Sequence, residues 1–160
     1  MRRILVALLL VLSLSVSLWA LSGEYGSPSA SGRILLAYEP TRFKNNLVSD
    51  MVSILEERGF FITVVDHQAG GLGNLSAADF DAVFITNSGA TAMVRVEVVD
   101  WLVENGTTPE NVYVHTTQIT EWEPQIEVDG VTSASYNNRR RTGDLAQEYA
   151  QVVMRIAQGN

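Results

Sequence analysis

The chain has 160 residues, which is enough for one domain with a single hydrophobic core. It contains no cysteine, and this excludes disulfides, thiolate nucleophiles, iron–sulfur clusters and cysteine zinc sites. The formal charge of −7 argues against nucleic-acid binding, because an acidic surface is repelled by a phosphate backbone.

Residues 1–22 have the pattern of an export segment. Arg2 and Arg3 precede an apolar run over residues 4–21, and residues 20–22 (ALS) fit the small-x-small pattern of a signal-peptide cleavage site. The run of about 18 residues is also just long enough to span a membrane as an uncleaved N-terminal anchor. Both interpretations place the rest of the chain outside the cytoplasm: secreted, periplasmic or tethered to the outer face of the membrane.

The rest of the chain alternates strand and helix patterns after a polar segment. Residues 23–32 (GEYGSPSASG) are small and polar, which predicts a flexible linker; the domain is then expected to occupy residues 33–160. Short runs rich in apolar and β-branched residues predict strands, and apolar residues at helical spacing predict helices. The predicted strands are residues 33–38, 60–65, 82–86 and 111–115, with a short fifth near 128–132. The predicted helices are residues 46–58, 91–105 and 144–157, with a single helical turn at 75–79.

Two details of the predicted helices are specific enough to test. The second helix is expected to bury Met93 together with Val94, Val98, Trp101 and Leu102. The last helix is expected to begin at Asp144, with Gln147 three residues later in the capping-box position.

This alternation predicts an α/β fold of three layers, with a parallel sheet of four to five strands covered on both faces. Ligands of such sheets bind beyond the carboxyl ends of the strands. Three loops lie at those ends here, at residues 39–45, 86–91 and 115–122. The sequence therefore predicts that any ligand site lies among these loops.

Three segments of the chain resemble the flavodoxin family. Residues 33–59 (RILLAYEPTRFKNNLVSDMVSILEERG) are similar to its first strand, phosphate loop and first helix. Residues 76–92 (SAADFDAVFITNSGATA) are similar to its third strand and the loop beside the flavin ring, and residues 128–135 (VDGVTSAS) precede a terminal helix as in that family. The resemblance implies a flavodoxin-like fold, an FMN cofactor, an electron-transfer role and a redox partner protein.

The resemblance also implies a set of cofactor-binding residues. These are Thr41, Arg42, Lys44 and Asn45 at the phosphate, Asn87, Ser88 and Gly89 at the edge of the flavin ring, and Trp122 on its face. The phosphate loop departs from the family pattern, because Phe43 stands where the family has the glycine that lets backbone amides approach the phosphate, and Asn45 replaces a threonine.

Most of these residues have a structural alternative. Arg42 and Lys44 are equally explained as solvated loop charges, the 86–91 loop as an ordinary strand-to-helix turn, and Trp122 as a side chain packed on the sheet edge. The second hypothesis for function is accordingly a non-catalytic binding or interaction module that has lost FMN. No catalytic or metal-binding residue is predicted: there is no G-x-S-x-G motif, and the spacing of His67 and His115 matches no metal motif.

Overall fold

The structure is a computed structural model that describes residues 21–89, 93–106, 109–119, 123–133 and 139–159. Residues 1–20 of the predicted signal or anchor segment and Trp122 lie outside these residues. Within them, no helix is both long enough and apolar enough to cross a bilayer.

A six-stranded sheet forms the centre of the domain. Its strands are β1 (Gly23–Tyr25), β2 (Arg33–Tyr38), β3 (Phe61–Asp66), β4 (Ala82–Ser88), β5 (Val112–Gln118) and β6 (Gly130–Ser133). Their spatial order is β1-β3-β2-β4-β5-β6. The last five strands in chain order run parallel, and β1 pairs antiparallel with β3 at one edge. The predicted parallel sheet is confirmed, with one added antiparallel strand.

Helices cover both faces of this sheet. The α-helices of the described residues are α1 (Arg42–Glu57), α2 (Val96–Glu104) and α3 (Arg139–Ala157), and Ala77–Asp79 form one 3₁₀ turn. On one face, α1 and α3 bury an apolar cluster against Ile34, Leu36 and Phe84. On the other face, α2 and the 3₁₀ turn bury a second cluster against Leu35 and Val83. Neighbouring strand residues point to opposite faces, so the continuous apolar run of β2 supplies both clusters. The predicted three-layer α/β architecture is confirmed.

Several element bounds differ from those the sequence predicts. Helix α1 begins at Arg42 rather than at residue 46, and α3 begins at Arg139, so Asp144 lies inside that helix and does not cap it. Strands β4 and β5 extend to Ser88 and Gln118, well beyond their predicted ends. Met93 is 56% exposed and is not part of the core.

Residues 23–25 lie within the segment for which the sequence predicts a linker, but they form β1. Gly26 follows with a φ of +82°, a conformation that side chains other than glycine rarely adopt. A Cβ at this position would also meet the carbonyl oxygen of Phe60. The sheet therefore begins at Gly23 rather than at Arg33, and this glycine allows the chain to turn closely past β3.

Candidate functional site

A cluster of charged and polar side chains, with Glu39 and Lys44 buried at its centre, lies where the carboxyl ends of β2 and β4 meet the amino ends of α1 and α2. We call Glu39, Lys44, Ser88 and Arg95 the edge cluster. The Lys44 Nζ atom donates to Glu39 Oε1 at 2.6 Å and to Ser88 Oγ at 2.6 Å. Arg95 Nε donates to the other carboxylate oxygen, Glu39 Oε2, at 3.3 Å. One carboxylate therefore bridges two cations.

The early start of α1 positions Lys44. The Thr41 side chain accepts a hydrogen bond from the Lys44 amide at 3.3 Å, as an N-cap residue does, so the helix begins directly after the loop. Lys44 is then the third helical residue, and its side chain leans back toward the helix start and the sheet edge. Glu39, the first residue after β2, meets it there.

Both members of the central ion pair are removed from water. Glu39 is 2% exposed and Lys44 is 1% exposed. Burial lowers the pKa of Lys44 to about 8, and the attraction of Glu39 opposes that shift. The lysine is therefore protonated at pH 7 and donates its hydrogen bonds as an ammonium group.

Asn87 links β4 to the start of α2 and to β5 at the same edge, on the face of the sheet opposite Lys44. Its Oδ1 atom accepts from the backbone amide of Arg95 at 3.0 Å, and its Nδ2 atom donates to Thr116 Oγ1 at 3.3 Å. The Gly89 amide donates to the carbonyl of Thr117 at 2.7 Å. These bonds satisfy buried polar groups and explain why β4 and β5 continue past their apolar residues.

Two buried histidines lie behind this edge. His115 Nδ1 is 2.8 Å from Thr86 Oγ1 and its Nε2 is 2.9 Å from Thr132 Oγ1. Burial, followed by the nearby positive charge of Lys44, lowers the pKa of His115 to about 3. His67 Nε2 donates to the Thr86 carbonyl at 3.2 Å, and burial also lowers the pKa of His67. Both rings are neutral at pH 7.

His67 has one ring nitrogen without a hydrogen-bond partner. Its Nδ1 atom lies 3.5 Å from Glu97 Oε1, and since the Nε2 atom carries the proton, neither of these two facing atoms has a hydrogen to donate. Among the described residues no group of three histidine, cysteine, aspartate or glutamate side chains is placed to hold a metal ion.

Comparison with solved structures finds the same architecture in a flavodiiron core and in a flavodoxin. A flavodiiron core from Synechocystis sp. PCC6803 superposes with a TM-score of 0.59 and 6% identity over 82% of this chain. A flavodoxin from the domain Archaea superposes with a TM-score of 0.52 and 10% identity, over 76% of this chain and 99% of that flavodoxin. The chain has a flavodoxin-like fold. It spans only 38% of the flavodiiron core. No protein-family model matches the chain, and no curated protein matches it in sequence.

The structure places seven of the eight residues predicted to bind FMN, all except Trp122. Thr41 caps α1, Arg42 is exposed at its first position, and Lys44 lies in the edge cluster rather than in solvent. Asn45 is half-buried, and its Oδ1 atom is buried without a hydrogen-bond partner. Of the predicted set, Lys44 and Ser88 are brought into contact.

The ring-edge residues belong to the sheet and its hydrogen bonds. Asn87 is a fully buried residue of β4, Ser88 is the last residue of that strand, and Gly89 bonds across to β5. The sequence interpretation missed Glu39 and Arg95. Glu39 could have been found as a charged residue directly after the apolar run Ile34–Tyr38. Arg95 carries no such signal, because its role depends on where α2 begins.

The side chains of the first strand-to-helix loop do not fit an FMN phosphate held as in the family pattern. The charge of Lys44, in the first turn of α1, is already neutralised by Glu39. The Lys44 amide bonds to Thr41, and Phe43 packs against the core cluster that contains α1 and α3. An incoming phosphate would meet the buried Glu39 carboxylate, which repels it.

Replacing Thr41 by alanine is expected to lower the free energy of unfolding by about 1 kcal/mol, because the first turn of α1 loses its cap. Serine at this position keeps the accepting hydroxyl and should restore most of the loss. Urea unfolding of the two variants measures the difference. Equal stability of the alanine and serine variants would contradict a capping role for Thr41.

Proposed function

We propose that this flavodoxin-like domain is a non-catalytic binding or interaction module that works outside the cytoplasm and does not hold FMN. The observation that carries the proposal is the edge cluster. Lys44 and Arg95, the cations on either side of the carboxyl end of β2, share the one buried carboxylate of Glu39. The position at which a flavodoxin-like fold would offer positive charge to a phosphate is therefore filled by an internal ion pair.

Electrostatics supports this proposal. Breaking a buried ion pair by drawing away one partner costs about 3–5 kcal/mol, since the other charge is left uncompensated. A phosphate that recruited Lys44 would have to offset that cost and the repulsion from Glu39. Arg42 is exposed and remains accessible, but a single exposed cation contributes about 1 kcal/mol or less to an ion pair.

The described side chains also favour a non-catalytic role. Ser88 is the hydroxyl nearest to a basic group, but Lys44 donates to it as an ammonium ion and cannot remove its proton at pH 7. The neutral rings of His67 and His115 are buried among backbone and threonine groups, where no substrate atom reaches them.

FMN binding with an electron-transfer role is the second candidate. It is favoured by the similarity of the fold to flavin proteins and by the sequence Asn87-Ser88-Gly89 at the carboxyl end of β4, where a flat ring would contact backbone. FMN would then supply all redox chemistry, and this segment would orient its ring. The phosphate would have to be held without Lys44.

Flavin titration separates the two candidates. The full chain purified from flavin-rich cells is expected to show no flavin absorbance in the visible range. After correction for the light absorbed by free FMN, tryptophan fluorescence is expected to show no saturable quenching as FMN is added to about 1 mM, a concentration that would detect even weak binding. A yellow protein, or saturable quenching, would overturn the proposal in favour of a flavoprotein.

A variant tests the physical reason for this result. Replacing Lys44 by methionine and Glu39 by glutamine in the same chain removes the internal pair and leaves the loop without its buried charges. This double variant is the control. It lacks the repelling carboxylate but gains no cation for the phosphate, so it should bind FMN weakly at best. Replacing Glu39 alone by glutamine frees Lys44, and this single variant should bind FMN or inorganic phosphate more tightly than the parent chain.

A further inference from the structure

A small cavity opens at the amino edge of the sheet, on the face that α2 covers. It has a volume of about 230 Å³ and lies between the last turn of α2, the start of β5 and the segment before β6. The edge cluster is at the carboxyl edge, where ligands of such sheets usually bind, so the cavity is a separate place. Pockets for drug-sized ligands measure about 300–1,000 Å³, and this cavity therefore suits a smaller group.

The cavity has an apolar floor and an acidic rim. Leu102 and Val114 are buried in the apolar cluster beneath α2, and Val112 packs against that cluster; these three side chains form the floor. Three exposed carboxylates, which we call the rim carboxylates, line the opening: Glu110, Glu127 and Asp129. The cavity therefore offers apolar surface inside and negative charge at its entrance.

Asp129 is fixed against β5 through both its backbone and its side chain. Its amide donates to the Val114 carbonyl at 2.8 Å, and its Oδ2 atom accepts from the Val114 amide at 2.7 Å. Gly130 allows this close approach, since a Cβ there would lie 2.6 Å from the hydroxyl oxygen of Tyr113. The Asp129 carboxylate is thus in place before any ligand arrives, which lowers the entropic cost of binding.

The rim carboxylates lack a compensating cation within the part of the chain that the structure describes. None of them forms an ion pair there, whereas the buried Glu39 shares two cations. Like charges at one opening repel each other, and a cation placed among them relieves that repulsion. A coordinated metal ion does not meet this need, because no three carboxylate or histidine side chains of the described residues are spaced to hold one.

We propose that this cavity binds a primary alkylammonium group, with its hydrocarbon stem against the apolar floor and its charge among the rim carboxylates. Such groups bury the stem along apolar surface and keep the charged head near water. An ammonium group has only donors, which match carboxylate oxygens. The group belongs either to a free aliphatic amine or to a lysine side chain of a protein partner. The proposal goes beyond the proposed function, because an amine would bind at this edge whether or not FMN is held.

Titration of the nitrogen-15-labelled full chain with n-butylammonium chloride tests the proposal. At low salt the amide signals of Val112, Val114 and Asp129 should shift saturably, with a dissociation constant on the order of 1 mM. Added salt should weaken the binding because it screens the rim charges. n-Butanol has the stem without the charge, and ammonium chloride has the charge without the stem. Each should bind at least about fivefold more weakly than n-butylammonium.

Two further probes identify the source of the group. One is lysine with acetyl and methylamide caps, which presents the side chain as a protein does, and the other is 1,4-diaminobutane. Tighter binding of the capped lysine assigns the cavity to a protein partner, and tighter binding of the diamine assigns it to a free amine. Both results support an alkylammonium site.

Matched variants identify the residues responsible. Glu110→Gln with Glu127→Gln removes two rim carboxylates. Glu56→Gln with Glu57→Gln removes two exposed carboxylates at the end of α1, on the other face of the sheet, with the same change in net charge. The first pair should weaken n-butylammonium binding by about fivefold, and the second should leave it unchanged. Unfolding curves of both double variants show that a loss of binding is not a loss of structure.

Three outcomes would overturn the proposal. One is the absence of saturable shifts at the three amides, and another is n-butanol or ammonium chloride binding as tightly as n-butylammonium. The third is equal weakening by the two double variants, since the attraction would then come from the overall charge of the domain rather than from this cavity.

Discussion

Replacing Lys44 by methionine is expected to lower the free energy of unfolding by about 3 kcal/mol, the largest single effect that the edge cluster predicts. The substitution keeps the length and apolar stem of the side chain but leaves the Glu39 carboxylate, 2% exposed, without its closest cation. Because Arg95 remains 3.3 Å from that carboxylate, the expected loss of stability is at the low end of the range for breaking a buried ion pair. Urea denaturation of the two proteins at pH 7 measures the difference.

Two controls separate the buried pair from a general effect of charge. Arg42→Met removes a cation two residues away that is exposed, and it should change the stability by no more than about 0.5 kcal/mol. Glu39→Gln combined with Lys44→Met leaves no uncompensated charge in the pair and should recover more than half of the loss. If the free energy of unfolding of Lys44→Met were within about 1 kcal/mol of that of the parent, Glu39 would not depend on Lys44 as its buried partner.

The strands and layers of this fold could be predicted because they depend on local apolar patterns. Strand β2 is apolar from Ile34 to Tyr38, so its two-sided burial is visible in the sequence alone. Strand β1 was missed for the opposite reason. Its three residues have no apolar pattern and are held by pairing with β3, a contact between segments about 40 residues apart.

The site was harder to predict because its polar contacts depend on where α1 begins and on residues distant in the sequence, Ser88 and Arg95. Lys44 was predicted to lie at a phosphate or in solvent. Both predictions assume that residues 41–45 form a loop. The capping bond from Thr41 starts the helix there instead and turns Lys44 toward Glu39. Similarly, β4 continues through Asn87 because Thr116 and the amide of Arg95 satisfy its side chain. Neither partner can be deduced from neighbouring residues.

The second large effect is expected from acid, through His115. In the folded protein its pKa is lowered to about 3, first by burial and second by Lys44, from an ordinary value of 6.5. Below pH 6.5 the unfolded chain therefore binds a proton that the folded chain does not. The contribution of a neutral His115 is fully present above pH 6.5 and is lost as the pH falls toward 3. Stability should fall by about 1.4 kcal/mol per pH unit across the middle of this window.

A glutamine at position 115 tests this assignment, because it keeps a hydrogen-bonding group between Thr86 and Thr132 but does not titrate. Urea unfolding of the parent and of His115→Gln at pH 7, 6, 5 and 4 should show a shallower decline for the variant, by about 2–3 kcal/mol between pH 6.5 and pH 4.5. Burial lowers the pKa of His67 too. His67→Gln should therefore also make the decline of the free energy of unfolding with falling pH shallower. Parallel curves for the parent and His115→Gln would mean that His115 takes up its proton in the folded protein, and that the ring is not sealed between Phe84 and Tyr149.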